Sequence, residues 1–229
     1  MKSILLINGN DPKSILNSTL YGADAVSFDL YSMVPAENKD AARFLVQEAM
    51  GFFDFGKTDI LVRVNPLGSG LEDDLAAICQ AKPKTIILPM ADSHSVPKCD
   101  ELLSSLEKKF GLPAGAVKII PQIDSVSAIQ NISEVLVSSP RVCGAVFGAK
   151  TILKEMGVEE VDGSQLLYAR SRLVFACISL KLPAFDRSWL DIKNVAGFEN
   201  DVKQGHSLGF TGKVAAAGNQ VAAINRIYA

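Results

Sequence analysis

Short apolar runs of strand length recur eight times along this chain, and most are separated by segments in which apolar residues have helical spacing. The runs lie at residues 3–7, 25–29, 60–63, 85–88, 117–123, 143–147, 183–185 and 212–215. The helical segments lie at residues 12–21, 36–53, 71–80, 95–110, 125–137, 165–180 and 219–228. Strands that alternate with helices in this way predict a parallel sheet, and eight of them predict a closed TIM-type (β/α)8 barrel.

The competing architecture is a doubly wound open sheet, but no GxGxxG follows an early strand. The 229 residues are 48% hydrophobic, which is enough for one large core. The sequence has no linker, no low-complexity tract and no second composition block. We therefore predict a single α/β domain over residues 1–229.

The net charge of the chain is −2 at pH 7, so the sequence offers no basic surface for nucleic acid or for an anionic membrane. No apolar run approaches the roughly 20 residues that a membrane-spanning helix needs. The amino-terminal apolar run is too short for a signal peptide, and the four cysteines form no CxxC pair. The expected location is the cytoplasm, with reduced cysteines that pack in the core.

The segment from Asp59 to Leu75 is the richest in functional signals. Its apolar run ends at Arg63 and is followed by a Gly-rich loop and an acidic first helical turn. A guanidinium at the carboxyl end of a strand can hold two oxygens of a carboxylate or phosphate. The alternative is that Arg63 only pairs with a neighbouring acid on the rim.

Polar side chains follow most of the predicted strands, and in a barrel those strand ends surround the active site. The residues at these strand ends, all polar except Met90, are Asn8, Asn10, Asp29, Arg63, Asn65, Met90, Asp92, Gln122, Asp124, Lys150, Thr151 and Asp186. Carboxylates and an arginine around one mouth suit a divalent ion and an anionic substrate. Asp124 has an alternative role as a helix N-cap, and Asp29 as the acceptor of an Asx turn. Arg170, Arg172 and Lys181 are expected on the solvated side of their helix.

Several passages resemble the citrate lyase β-subunit family, part of the HpcH/HpaI aldolase group. The resemblance runs in order through nearly the whole chain and is most specific in VRVNPL and YARSRLV. The matching passages are LLINGNDPK, GADAVSFDL, KDAAR, VRVNPLGSGLEDDL, SPRVCGAVFGA, YARSRLV, LPAFD and LGFTGK.

The resemblance implies a TIM barrel, often trimeric, that uses Mg2+ to cleave or form a carbon–carbon bond in a thioester. The implied substrates are citryl-acyl-carrier protein, citramalyl-CoA or malyl-CoA, and the products are a 2-oxo acid and an acetyl thioester. Arg63 and Asp124 are the implied catalytic residues, and Asp124 is also the metal ligand. We expect the substrate to contact Arg63, Asn65, Asp29 and Gln122.

The sequence also departs from the family pattern in the acidic positions. Asp124 replaces the metal-binding glutamate, and Thr151 replaces the second metal ligand, an aspartate. Lys150 replaces the glutamate before it, while Tyr31 and Ser32 replace two further acids. Three other departures are Met90 for a lysine, Ala217-Gly218 for His-Pro, and an end at Ala229 that predicts a barrel shortened at its C-terminus.

Three interpretations remain open from the sequence. The first is a lyase in which Asp124 holds a weak Mg2+ and Arg63 binds the acid. The second is a non-catalytic relative that binds a small carboxylate or acts as an assembly subunit without a metal. The third is a changed chemistry in which Lys150 acts as a cation in place of the metal or as an amine nucleophile.

Overall fold

A computed structural model describes residues 1–159 and 163–229, and in this part of the chain eight parallel strands close into a barrel in chain order. The strands are β1 Ser3–Asn8, β2 Ala25–Asp29, β3 Asp59–Arg63, β4 Thr85–Leu88, β5 Lys118–Ile123, β6 Ala145–Phe147, β7 Ala184–Asp186 and β8 Gly212–Ala215. The last strand pairs with the first, which completes the barrel. The (β/α)8 prediction is confirmed, and no expected strand is missing.

Helices cover the outside of the barrel. They are α1 Pro12–Leu16, α2 Lys39–Phe52, α3 Leu71–Ile78, α4 Ser95–Phe110, α5 Val126–Gln130, α6 Ile132–Val137, α7 Lys150–Met156, α8 Leu167–Ser179, α9 Val195–Leu208 and α10 Gly218–Ile227. The bounds of α4 agree with the sequence expectation. The helix expected at 12–21 is α1 followed by a 3-10 turn, and the one expected at 125–137 divides into α5 and α6. Two helices, α7 and α9, were not predicted.

The interior of the barrel receives one buried apolar side chain from each strand. These residues are Ile4, Ala25, Leu61, Ile87, Ile120, Val146, Phe185 and Val214. A larger second cluster fills the space between the strands and the helices. Successive side chains of a strand point alternately inward and outward, so each strand contributes to both clusters. Both faces of these short strands are therefore apolar. The polar residues are thereby left to the strand ends.

The amino-terminal end of the barrel is stabilised by an ion-pair network around Arg141, which precedes β6. The Arg141 guanidinium donates to both carboxylate oxygens of Glu107, at 2.6 and 2.8 Å, and to Asp100. Arg141 and Glu107 are almost fully buried. Because this network lies away from the carboxyl ends of the strands, it serves stability and not the mouth of the barrel.

In the described ranges, no helix is long and apolar enough to cross a membrane.

Candidate active site

An open cavity of about 1210 Å3 lies at the carboxyl-terminal mouth of the barrel. Its floor is apolar and includes Ile4, Ile87 and Val146 from the barrel interior. Its walls are polar and belong to the loops that follow the strands, as expected for this fold. The wall residues include Tyr31, Arg63, Gln122, Asp124, Lys150, Thr151 and Lys154.

Arg63 ends β3 directly beside Asp29, which ends β2, because the two residues are partners in the strand register. Arg63 Nε and Nη2 donate to the two oxygens of Asp29, each over 2.8 Å. Arg63 Nη2 also donates to Ser32 Oγ. The alternative in which Arg63 pairs with a neighbouring acid is thus observed, while its contact with a substrate stays a prediction.

Asp29 is fully buried and also organises the loop after β2. Its two oxygens accept hydrogen bonds from the backbone N–H groups of Tyr31, at 2.9 Å, and Met33, at 2.7 Å. The bond to Tyr31 is the Asx turn that was considered from the sequence. Asp29 does not line the cavity. Its role in the structure is to hold Arg63 and this loop, and substrate contact by Asp29 is untested.

Tyr31 covers the guanidinium of Arg63, with Arg63 Cζ 5.8 Å from the centre of the Tyr31 ring. Such an arrangement is a cation–π contact. Burial, and then the charge of Asp124, raises the pKa of the Tyr31 phenol. An uncharged aromatic side chain therefore occupies the wall where the family resemblance places an acid.

Lys39, at the start of α2, stabilises the same loop through hydrogen bonds to its backbone. Its ammonium donates to the carbonyl oxygens of Leu30 and Tyr31 and, at 2.8 Å, to Asn65 Oδ1. Burial lowers the pKa of Lys39. Sequence reasoning did not single out this lysine, although it lies in the KDAAR passage. In the sequence, Lys39 is a single lysine at the start of a predicted helix, and such a residue is indistinguishable from one that faces solvent.

Asn65 is buried behind Arg63 and does not line the cavity. Its amide nitrogen donates to Asp74 Oδ2 over 2.7 Å and to the carbonyl oxygen of Leu30. Asp74, in the first turn of α3, also accepts from Arg43 Nε at 2.7 Å. The acidic helix start predicted after the Gly-rich loop therefore anchors Asn65, whose predicted substrate contact remains untested.

Asp124 follows β5 and lines the cavity although it is only 3% exposed. Its Oδ1 accepts from the Met90 N–H at 3.0 Å, and its Oδ2 from Gln122 Nε2 at 2.7 Å. Met90 adopts a left-handed backbone conformation, with φ 51°, at the point where its N–H meets the carboxylate. Ser125, and not Asp124, caps α5, which removes the N-cap alternative. Burial raises the pKa of Asp124 to about 6, against the lowering effect of its hydrogen bonds.

Lys150 and Thr151 begin α7 and line the same cavity. Lys150 is exposed and forms no ion pair with any residue of the described ranges. Lys154 lies one turn further along α7 and also lines the cavity. An ammonium and a hydroxyl, those of Lys150 and Thr151, thus stand where the family resemblance places two acids, and Lys154 adds a second ammonium to the cavity.

The β7 and β8 side of the mouth contains a buried ion cluster. Arg170 donates to both oxygens of Asp186, at 3.1 and 2.6 Å, and Lys213 Nζ lies 2.9 Å from Asp186 and 2.6 Å from Asp201. The expectation that Arg170 belongs to the solvated side of its helix is wrong, because this side chain is fully buried. Asp186 is likewise enclosed by its cations, so it does not face the cavity.

The donor set at the mouth does not fit a Mg2+ site. Mg2+ prefers an octahedral set of oxygens that includes carboxylates. The described residues contain no group of three His, Cys, Asp or Glu side chains that could hold a metal ion. Asp29 is committed to Arg63, Thr151 offers only a hydroxyl, and Lys150 adds a positive charge. The Mg2+ expectation is therefore not supported by this chain's own residues.

The fold and the mouth define the class of protein as a (β/α)8 barrel with a guanidinium and a buried carboxylate in one open cavity. The sequence profile of the HpcH/HpaI aldolase/citrate lyase family matches residues 2–217. The chain therefore belongs to this family, as the resemblance indicated.

Curated relatives cover nearly the whole length of the chain. The citrate lyase subunit beta of Leuconostoc mesenteroides subsp. cremoris is 30% identical over 231 residues, which are 100% of this chain and 76% of the relative. The human mitochondrial citramalyl-CoA lyase is 27% identical over 235 residues, which span 97% of this chain and 69% of the relative.

Solved structures share the fold. RipC from Yersinia pestis has a TM-score of 0.83 and 23% identity, with 100% of this chain and 95% of that chain covered. CitE from Mycobacterium tuberculosis, crystallised with magnesium, acetoacetate and coenzyme A, also has a TM-score of 0.83, with 21% identity. In that comparison, 99% of this chain and 80% of CitE are covered.

Proposed function

We propose that this chain is a carbon–carbon lyase that cleaves a 3-hydroxy-acid thioester to a 2-oxo acid and an acetyl thioester. Citryl, citramalyl and malyl thioesters are the proposed substrates. Family membership supports the reaction class, and the relatives named as citrate lyase subunit beta and citramalyl-CoA lyase support the substrate class. The observation that carries the proposal is that Arg63 and Asp124 face one open cavity.

Arg63 is the proposed carboxylate-binding group. Its Nε and Nη2 are used by Asp29 and Ser32, whereas Nη1 donates to no residue of the described chain. Arg63 lines the cavity, and its ion pair with Asp29 fixes the guanidinium plane, so a ligand that binds Nη1 costs little further side-chain freedom. A substrate carboxylate at Nη1 would place the neighbouring hydroxyl carbon within the mouth.

Asp124 is the proposed proton carrier. With a pKa of about 6, its carboxylate is ionised at neutral pH and can still accept a proton from the substrate hydroxyl. As that proton leaves, the carbonyl of the 2-oxo acid forms and the carbon–carbon bond breaks. The bonding electron pair passes to the α-carbon of the acetyl thioester as its enolate. Return of the proton from Asp124 to this carbon completes the reaction with atoms and charges balanced.

The family resemblance also implies partners for the reaction. Coenzyme A or an acyl-carrier protein is the proposed thioester carrier, and the 2-oxo acid is the other product. The proposal retains one domain over residues 1–229, a cytoplasmic location and a homo-oligomer such as a trimer. Magnesium does not enter the proposed steps, because the donors at the mouth do not fit it.

Cleavage assays test the proposal directly. Purified protein is incubated with citryl-CoA, citramalyl-CoA and malyl-CoA, and the acetyl-CoA and the 2-oxo acid are quantified by mass spectrometry. Equal amounts of both products from at least one thioester are expected. The absence of products from all three, with and without Mg2+, contradicts the lyase proposal.

A second candidate function is a non-catalytic subunit that binds a small carboxylate. The observation that favours it is the replacement of acids by Tyr31, Lys150 and Thr151 around a preserved Arg63. This candidate predicts that oxaloacetate or pyruvate binds and that no thioester is cleaved. Arg63→Ala would then abolish binding, which calorimetry measures without reference to turnover.

A further inference from the structure

Both carboxylates nearest to Arg63 are already committed to groups within the protein. Asp29 accepts two hydrogen bonds from Arg63 and two from backbone N–H groups. Asp124 accepts from a backbone N–H and from the side chain of Gln122. A divalent ion beside Arg63 would have to compete with these donors for Asp124, and Asp29 would offer it no free oxygen.

Close packing fixes this arrangement around Asp124. A Cβ atom added to Gly148 would lie 2.4 Å from Asp124 Cβ and 3.1 Å from Gln122 Nε2. The backbone at the end of β6 therefore presses directly on both side chains. Gln122 Nε2 donates to Asp124 Oδ2 over 2.7 Å, so a cation would have to displace this amide to reach that oxygen.

Helix α7 brings to the cavity the positive charge that a metal would otherwise supply. Lys150 and Lys154 line the cavity, are exposed, and form no ion pair with the described residues. Positive charges in an open cavity attract an anionic ligand and repel Mg2+. Because Arg63 and Lys150 both line this cavity, a short 2-oxo acid can meet two cations there.

We propose that this mouth binds the carboxylate of a 2-oxo acid without a divalent metal ion, through Arg63 Nη1 and the ammonium of Lys150. The inference rests on the same site as the proposed function but not on turnover. The proposed ligands are short 2-oxo acids, and the proposed site differs from that of CitE, which was crystallised with magnesium, in using an ammonium and no metal ion.

Calorimetry with oxaloacetate and pyruvate, in buffer with EDTA and in buffer with Mg2+, tests the inference. The wild-type protein is expected to bind at least one of them with the same affinity in both buffers, within about twofold. Lys150→Met should weaken binding about tenfold. The matched control is Lys57→Met, an exposed lysine that does not line the cavity, which should bind as the wild type does.

A double variant, Lys150→Glu with Thr151→Asp, restores acids at the start of α7, where the family resemblance places them. It should bind the 2-oxo acid at least about tenfold more weakly than the wild type in EDTA and regain affinity when Mg2+ is added. Circular dichroism confirms that the variant is folded. Identical affinities of the wild type and the variant in both buffers contradict the assigned role of Lys150.

Wild-type binding that requires Mg2+ and disappears in Asp124→Asn overturns the inference, as does the absence of binding in every condition. The fate of the lyase proposal is separate. Metal-free binding without thioester cleavage supports the inference and contradicts the lyase, whereas cleavage without metal-free binding of either 2-oxo acid supports the lyase and contradicts the inference.

Discussion

Asp29 and Arg63 are direct partners in the register of β2 and β3, and two hydrogen bonds of 2.8 Å join their side chains. The pair stands at the carboxyl end of the barrel, with Asp29 buried and Arg63 facing the cavity. The two parallel hydrogen bonds of this ion pair hold the guanidinium in a fixed plane. The orientation of Arg63 Nη1 depends on this contact.

Asp29→Asn should destabilise the protein by about 3–5 kcal/mol, because it leaves the Arg63 guanidinium without its buried counter-charge. It should also weaken 2-oxo-acid binding, since Arg63 loses its fixed plane. Urea unfolding and calorimetry measure the two effects. The control is Asp59→Asn, an exposed position on the same strand as Arg63, which should change stability by no more than about 0.5 kcal/mol. Equal stability of the two variants would contradict the structural role given to Asp29.

Gly148→Ala should displace Asp124 and Gln122, because the new Cβ would lie 2.4 Å from Asp124 Cβ. Overpacking of this kind costs about 1–3 kcal/mol, and loss of 2-oxo-acid binding is expected with it. Thermal unfolding and calorimetry are the measurements. Gly51→Ala, which meets no atom within 4 Å in α2, should be neutral or slightly stabilising. Normal binding by Gly148→Ala would count against the packing argument.

Lys213→Met should cost about 3–5 kcal/mol, because it leaves Asp186 and Asp201 without a buried ammonium within 3 Å. Chemical denaturation measures this loss. Lys203→Met, at an exposed position of α9, is the control and should leave the free energy of unfolding within about 0.5 kcal/mol of the wild type. A loss below about 1 kcal/mol in Lys213→Met would show that the cluster is not a stabilising element.

Acid should weaken the network around Arg141. Burial raises the pKa values of Asp100 and Glu107, but hydrogen bonds to Arg141 and other donors outweigh it and hold both pKa values below the ordinary 3.8 and 4.5. A depressed folded-state pKa adds stability above the unfolded-state pKa, and this stability is lost as the pH falls through the folded-state value. The network therefore contributes fully above about pH 5 and loses its contribution below about pH 4.

Arg141→Met isolates that contribution. The stability difference between the wild type and this variant should be about 3–5 kcal/mol at neutral pH and should shrink as the pH falls below about 4. Urea unfolding at a series of pH values gives the curve. Lys98→Met removes an exposed ion pair to Glu101 and should show a small, nearly pH-independent effect. A pH-independent difference for Arg141→Met would contradict the linkage.

The lyase proposal predicts the pH dependence of kcat/KM. Burial raises the pKa of Asp124 to about 6, and only the ionised carboxylate accepts the hydroxyl proton. The value of kcat/KM should therefore rise about tenfold per pH unit below 6 and become constant above it. Initial rates between about pH 5 and pH 8 test this. A profile that is flat through pH 6 would exclude Asp124 as the proton acceptor.

The barrel was predictable because each strand is a short apolar run and each strand end is polar. The same reasoning placed Arg63 and Asp124 at one mouth, since parallel strands deliver their carboxyl ends to one side of a barrel. It did not predict α7 or α9. In α9, Gly197, Gly205 and several polar residues weaken the helical pattern, and packing against the barrel compensates for their low propensity.

Contacts between distant residues were the part that sequence reasoning could not supply. Arg170 was expected in solvent because a charged residue on a helix usually lies there. Its burial depends on Asp186, which β7 delivers to the same place. The committed oxygens of Asp29 and Asp124 likewise follow from strand register and loop geometry. Those contacts decide whether an acid near the mouth is available to a metal.

The most direct test of the lyase proposal is a comparison of wild-type protein with Asp124→Asn on whichever of the three thioesters gives products. Both products are quantified over time in the absence and presence of Mg2+. We predict that the wild type forms acetyl thioester and 2-oxo acid in equal amounts, and that Asp124→Asn slows their formation at least about 100-fold while remaining folded. Equal rates for the two proteins would contradict the assignment of Asp124, and the absence of products from the wild type would contradict the lyase itself.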